Sequence, residues 1–414
     1  MNKMNIATVG IAILIVMGII WIIFFDDVKI KNESNIPEDS KVLQYDEIKA
    51  VWISYLDLSP MLKGKTEKEF KSNISKALDN VEALGLNTVI VQVRPFSDAI
   101  YKSKYFPWSS YCTGTEGGNP GYDPLKIMIE EAHSRKIRLE AWINPYRVRN
   151  DSTKTAIDSS NPASEWINSG SDSIININGG IYYNPGSESV RELVVNGVKE
   201  IVENYRVDGI HFDDYFYPSS DINIDKKVFD EYVASGGNLD LANWRRENVN
   251  IVVKQVYKAI KEINSEVVFG ISPQGSMKNN FENQYIDVKK MVQNPGYIDY
   301  ICPQVYYGFE NQGNDFTKAI NEFNDMVTEP SVKLYLGLSP YKLGSEDTWA
   351  GSGKDEWKNT TDILKRQVAA SKKLKNYDGV FFFRYDSLFN PGAEVKNQVE
   401  QEVNNLKEVF KHTP

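Results

Sequence analysis

Two adjacent aspartates, Asp213 and Asp214, lie within the stretch VDGIHFDDYFYP at residues 207–218, at the end of what otherwise reads as a buried strand. An ionised carboxylate is costly to bury without a partner. A pair at the end of such a strand is therefore either exposed there or used. Two carboxyl groups suit hydrolysis of a glycosidic bond: one protonates the departing oxygen, and the other acts as nucleophile or activates water. Negative charge beside an oxocarbenium-like centre also lowers its energy. Asp213 is the first candidate for nucleophile or base. Asp214 and Glu310 lead the candidates for the second carboxyl, with Asp98 and Asp386 at other strand ends as further partners. Spacing alone does not choose among them.

The elements that must position these residues come in alternation. Short apolar β-rich runs lie at 48–55, 87–94, 137–144, 207–214, 267–272, 298–306, 333–339 and 378–385. Amphipathic stretches lie between them at 67–84, 124–136, 188–205, 241–264, 315–328 and 362–375, and another follows at 393–410. The segment after strand five carries the weakest helical pattern. Strands alternating with helices imply βαβ units and a parallel sheet, and eight units imply a closed (β/α)8 TIM barrel. A doubly wound open sheet is the alternative, but no glycine-rich dinucleotide turn follows strand one. The connections after strands two, three and four are long and rich in Tyr, Trp, Gly, Pro and Asn, as loops that build a barrel's active face are.

Alternation along a strand then sorts side chains, because outward positions must be apolar to meet the helices. Val89, Val91 and Val93 are expected outside, leaving Gln92 and Arg94 inside. Leu139, Ala141 and Ile143 face out, leaving Glu140, Trp142 and Asn144 inside. His211 and Asp213 face in on strand four, as do Gln304 and Tyr306 on strand six. On strand eight Phe381 and Phe383 are expected outside, with Arg384 and Asp386 inside. Buried polar groups need partners, and this many converging from five strands point to a polar pocket. Glu140, two layers deep, is expected to pair with an arginine such as Arg94. His211 is expected to hydrogen-bond substrate or a carboxylate rather than a metal. The aromatic runs at 101–108, 182–183 and 215–217, Tyr215 first among them, offer faces for sugar rings. The expected substrate-binding set is thus Arg94, Asp98, Trp142, Asn144, His211, Tyr215, Gln304, Tyr306, Arg384 and Asp386.

Composition bounds the function. The chain has 414 residues, 41% hydrophobic and 25% charged, with a net charge of −9. That acidic balance, with no Lys/Arg run, argues against a nucleic-acid partner. Residues 6–25 carry no charge and have the length of a membrane-crossing helix. Lys3 precedes them and Asp26 and Asp27 follow, so the bulk of the chain is expected outside the cytoplasm, on a single-pass anchor in the cell membrane. A signal peptide cleaved at an unobvious site is the alternative. Residues 26–46 read as a flexible linker and 47–411 as the catalytic barrel. Cys302 lies in an apolar strand and reads as a buried free thiol; a disulfide with Cys112 is the other reading. The three histidines are too scattered for a His-rich metal site, and no metal or other cofactor is expected. A metal-dependent deacetylase finds only His211 near the strand ends, and a non-catalytic glycan-binding barrel would keep the cleft without a productive carboxyl pair.

Further pieces carry a resemblance. AVWISY at Ala50, VQVRPFSDAIYKSKYFPWS at 91–109, PGYDPL at Pro120, EAWINPYR at Glu140 and DGIHFDDYFYP at Asp208 come in order. NWRRENVN at Asn243, FGISPQGSMKNN at Phe269, YIDYICPQVYYGFEN at Tyr297 and LYLGLSPYKLG at Leu334 continue it. With this order and spacing the chain resembles the glycosyl hydrolase-like 10 family of bacterial envelope proteins. The resemblance implies a (β/α)8 glycosidase acting on peptidoglycan glycan or a related wall polysaccharide, with Asp213 and Asp214 as its acidic pair. More distantly, the end of strand four resembles the nucleophile position of amylase- and α-galactosidase-type barrels. Strand five departs from those, ending in Ser272-Pro273-Gln274 without their acid.

Overall fold

The computed structural model describes residues 42–150 and 157–411. The expected anchor at 1–25 and most of the linker lie outside the described residues. Among the described residues, no helix is long and apolar enough to cross a membrane.

Eight parallel strands close a barrel: β1 (Ile48–Ile53), β2 (Thr88–Arg94), β3 (Arg138–Ile143), β4 (Gly209–Phe212), β5 (Val268–Ile271), β6 (Tyr300–Ile301), β7 (Lys333–Leu338) and β8 (Tyr377–Phe382). Each hydrogen-bonds its sequence neighbours, and β8 returns to β1. Every residue of β2, β3 and β4 is buried, as expected for strands covered on both faces.

The helices form where the sequence marks their ends. Thr66 and Glu69 make a reciprocal capping box at the start of Glu67–Leu84, and Gly85 ends that helix at φ 82°, a conformation that costs glycine little. Phe70, Ile74, Ala77, Leu78, Val81 and Leu84 form its buried stripe. Asp123, Ser187 and Asp240 cap the helices that follow. Two short helices, Met277–Glu282 and Val288–Gln293, occupy the weak segment after β5.

Inside the barrel Ile48, Ala50, Trp52, Ile90, Trp142, Tyr300, Cys302, Tyr335 and Phe381 pack together, with Phe383 against them. This corrects the expected parity of β8, where Phe381 and Phe383 face the axis while Phe382 meets Phe410 of the outer helix Lys396–Lys411. Three consecutive phenylalanines erase the apolar–polar alternation from which parity is read. Large side chains are accommodated by glycines across the interior: a Cβ on Gly270 would lie 2.1 Å from the Tyr300 ring. Both cysteines are free and buried.

Two further features depart from the sequence reading. The connection after β3 contains a three-stranded antiparallel sheet made of Arg147–Arg149, Gly180–Tyr183 and Ile174–Ile177. The expected linker's last residues belong to the barrel unit: the Leu43 N–H donates to Asp208 at 3.1 Å and the Tyr45 hydroxyl to the Lys136 carbonyl. Asp208 and Lys136 sit at the N-terminal ends of β4 and β3, opposite the ends that carry the aspartates.

Candidate active site

Strand β4 ends at Phe212, and both aspartates follow it into a polar site. Asp213 is 4% exposed and Asp214 8%. Asp213 is held from β3. Trp142 Nε1 donates to its Oδ2 at 3.0 Å, Asn144 Nδ2 reaches both oxygens at 3.2 and 3.3 Å, and the Tyr215 N–H donates to Oδ1 at 3.3 Å. Asp214 is held from the other side. Gln274 Nε2, beyond β5, donates to Oδ2 at 2.9 Å, and Gln304 Nε2, beyond β6, to Oδ1 at 3.1 Å. The strand stops at Phe212, so alternation along it does not fix where Asp214 points.

Burial raises the pKa of Asp213 from 3.8 to about 7, with the Asp214 charge adding to the rise and the Arg147 charge and the Trp142 and Tyr215 hydrogen bonds opposing it. The neighbouring Asp214 charge thus disfavours ionisation of Asp213. Near neutral pH Asp213 is therefore partly protonated. That is the state a general acid requires.

Arg147 and Gln274 belong to this site and were missed by sequence reasoning. The Arg147 guanidinium lies 4.0 Å from the Tyr215 ring centroid and 5.6 Å from that of Phe96. Its backbone N–H donates to Asn144 Oδ1 at 2.9 Å, so one asparagine sets the turn after β3 and holds Asp213. The Gln274 backbone N–H and carbonyl are held by the Asn280 side chain at 3.0 and 2.7 Å, and Asn279 donates to its side-chain oxygen. The signals were Asn144-Pro145-Tyr146-Arg147 after β3 and Ser272-Pro273-Gln274 after β5. Among the described residues no three His, Cys, Asp or Glu side chains gather as a metal site.

Residues 47–351 match the glycosyl hydrolase-like 10 family. The chain belongs to the glycosyl hydrolase-like 10 family. It is 34% identical over 382 residues to glycosyl hydrolase YngK of Bacillus subtilis, covering 86% of this chain and 72% of that one. It is 33% identical over 350 residues to glycosyl hydrolase DigH of Escherichia coli K12, covering 77% and 76%. Among solved structures, the PgaB glycoside hydrolase domain of Bordetella bronchiseptica superposes with a TM-score of 0.56 at 10% identity, covering 89% of this chain and all of that one. The catalytic domain of a β-amylase from Paenibacillus polymyxa also gives 0.56, at 13% identity, covering 89% and 99%. At these identities the superpositions establish the barrel fold. Family and relatives together place the chain among the glycoside hydrolases.

Several other residues of this glycoside hydrolase lie elsewhere than expected. Arg94 does not enter the site. The β2–β3 register shifts between Gln92 and Arg94, and this bulge turns Arg94 outward, where it stacks over Phe106 at 4.4 Å and packs against Gly197 of the helix Glu188–Asn204. Glu140 therefore pairs with Arg138, at 3.2 Å, and accepts from the Tyr300 hydroxyl at 2.6 Å. His211 is sealed beneath the site. Trp52 Nε1 donates to its Nε2 at 3.2 Å, and its Nδ1 faces the Tyr300 oxygen at 2.7 Å. Because the Tyr300 proton goes to Glu140, His211 Nδ1–H is the donor in that contact. Burial lowers the His211 pKa to about 3, so the ring is neutral. It supports the floor and does not reach substrate.

Arg384 and Asp386 sit at the β8–β1 side of the mouth. Arg384 pairs with Asp57 at 2.6 Å and Asp386 at 3.4 Å, and Asp386 also accepts from Asn390 at 2.8 Å. Asp98 lines a separate cavity of about 50 Å³ with Phe96, Tyr111, Glu116 and Arg149. Its Oδ2 accepts from the Ser110 N–H at 3.4 Å, and burial raises its pKa to about 7. The Glu310 side chain is exposed; its backbone N–H donates to Glu356 at 2.9 Å and its carbonyl packs on Gly353. Among the described residues no hydrogen bond links Glu310, Asp98 or Asp386 to Asp213 or Asp214. Most of the expected aromatic platforms are packing: Tyr101, Phe106, Tyr183, Phe216 and Tyr217 are buried. Tyr215 at 49%, Tyr341 at 44% and Trp349 at 89% exposure are among the exposed aromatic side chains.

Proposed function

We propose that this glycoside hydrolase cleaves a cell-wall polysaccharide, peptidoglycan glycan strands in the first place, with Asp213 as its general acid and Asp214 as the carboxylate beside it. The observation that carries this reading is the buried pair at the end of β4: burial raises the pKa of one carboxyl to about 7, and both oxygens of the other are fixed by amide donors. This exchanges the roles first suggested by sequence, where Asp213 stood as nucleophile or base. Open aromatic faces at Tyr215 and Tyr341 suit sugar rings. Tyr306, stacked on Phe383 at 5.9 Å and crossed by Tyr341 at 5.7 Å, completes a wall next to the acids.

The apolar segment at 6–25, with acids after it, supports a membrane-anchored enzyme working outside the cytoplasm, where wall glycan is met. The test is digestion of purified wall glycan, with and without its stem peptides, and mass spectrometry of the products. New reducing ends that do not form with Asp213→Asn support the reading. Intact glycan after exhaustive digestion by the native enzyme refutes it.

A further inference from the structure

The two carboxyl groups are neighbours in the chain and splay along one rim of the site, Asp213 toward β3 and Asp214 toward β5 and β6. Enzymes that use two carboxyls as acid and nucleophile, or acid and base, place them across the sugar ring, about 5–5.5 or 6.5–9.5 Å apart. Among the described residues, the other strand-end carboxyls are engaged elsewhere. Asp386 is tied to Arg384 and Asn390, Asp98 is enclosed beneath Ser110, and Glu310 projects to solvent. What stands by the pair instead is Tyr306. It lies two residues beyond Gln304, which holds Asp214, with its ring stacked on Phe383, and among the described residues no hydrogen bond joins its hydroxyl to another side chain. Phe383 and Trp142 lie below as apolar surface.

Building on the glycosidase reading above, we propose that the nucleophile comes from the substrate: the carbonyl oxygen of a 2-acetamido group on the sugar whose bond is cleaved. In the first step that oxygen's lone pair forms a bond to C1 while the bond from C1 to the glycosidic oxygen breaks. The Asp213 proton passes to the departing oxygen. The amide N–H of the acetamido group donates to Asp214, whose negative charge offsets the cationic bicyclic oxazolinium so formed. Tyr306 donates to the acetamido oxygen and positions it, and the methyl group rests on Trp142 and Phe383. In the second step water attacks C1 and its proton goes to Asp213. The bond from C1 to the acetamido oxygen breaks, and its electrons restore the amide. Two inversions give net retention, and the substrate class narrows to 2-acetamido sugars.

The test uses the full-length enzyme in detergent with two probes: native peptide-free glycan strands, and the same strands de-N-acetylated and re-acylated with trifluoroacetyl groups. The fluorines withdraw electron density from the attacking oxygen. Cleavage should slow by about 100-fold or more, the loss expected when a positioned group's contribution is removed, and proton NMR of the first product should show retained configuration. Equal rates on the two strands, or inversion at C1, overturn the inference and leave the glycosidase reading standing. No cleavage of the native strands overturns both. Asp214→Asn, which keeps the side chain's size, should cut turnover of native strands by about 10²–10³-fold while circular dichroism stays unchanged; unchanged turnover with that variant also overturns the inference.

Discussion

Asp213 combines a site role with a cost to the fold. Its pKa rises from 3.8 to about 7 through burial and the Asp214 charge. Between those values the folded state keeps a proton that the unfolded chain has released, so stability falls as pH rises through about 7. Asp213→Asn removes this penalty. Its melting temperature should exceed that of the native enzyme by more at pH 8 than at pH 5, a difference scanning calorimetry reads directly. Turnover, which needs the protonated acid, should decline as pH rises through about 7. Gln274→Ala frees one oxygen of Asp214 and should lower kcat by about 10-fold or more with a smaller change in KM, measured on soluble glycan.

Asp213 was legible because β4 carries apolar residues only on alternate positions. Arg94 was not, because a bulge leaves no trace in the apolar pattern. His211 was placed on the correct face but one layer too shallow in role: its partners, Trp52 and Tyr300, come from β1 and β6, and spacing within one strand cannot name them.

At the scale of elements, the loop after β4 is fixed from behind. Arg245, in the helix Leu241–Ile263, pairs with Asp225 through two hydrogen bonds of 2.9 and 2.6 Å, with both side chains fully buried. It also donates to the Asp221 carbonyl at 2.7 Å and the Tyr285 hydroxyl at 2.9 Å. Removing one partner leaves the other charge buried and unpaired, so Arg245→Ala should destabilise the fold by about 3–5 kcal/mol in urea denaturation. Trp349, on the loop after β7, shows the opposite pattern, a large indole left almost wholly in solvent. If it binds glycan beyond the cleaved bond, Trp349→Ala should raise KM for long strands by about 5–10-fold and leave kcat unchanged. All eight barrel strands and the long helices were readable from period and caps. The antiparallel sheet within the β3 connection was not. Its strands span three or four residues, too few for a period to register, and the pairing of Arg147–Arg149 with Gly180–Tyr183 reaches across some 30 residues of chain.

For the whole molecule, closure of the sheet places every strand's C-terminal end on one face, which is why residues as distant as Asn144, Asp214 and Gln304 meet. Alternation of strand and helix foretold that meeting; which side chains fill the mouth depended on bulges, short strands and aromatic runs that a one-dimensional pattern does not carry. The chain enters at the opposite face, with Leu43 and Tyr45 bound near the starts of β4 and β3. A fragment beginning at Leu43 should therefore keep the native melting temperature and cleave soluble glycan as fast as the full chain. The most direct test of the account compares native enzyme and Asp213→Asn for turnover and for equilibrium binding of the same peptide-free glycan. The account predicts a loss of turnover of about 10²–10⁴-fold with binding kept within about threefold. Turnover unchanged by the substitution would contradict it.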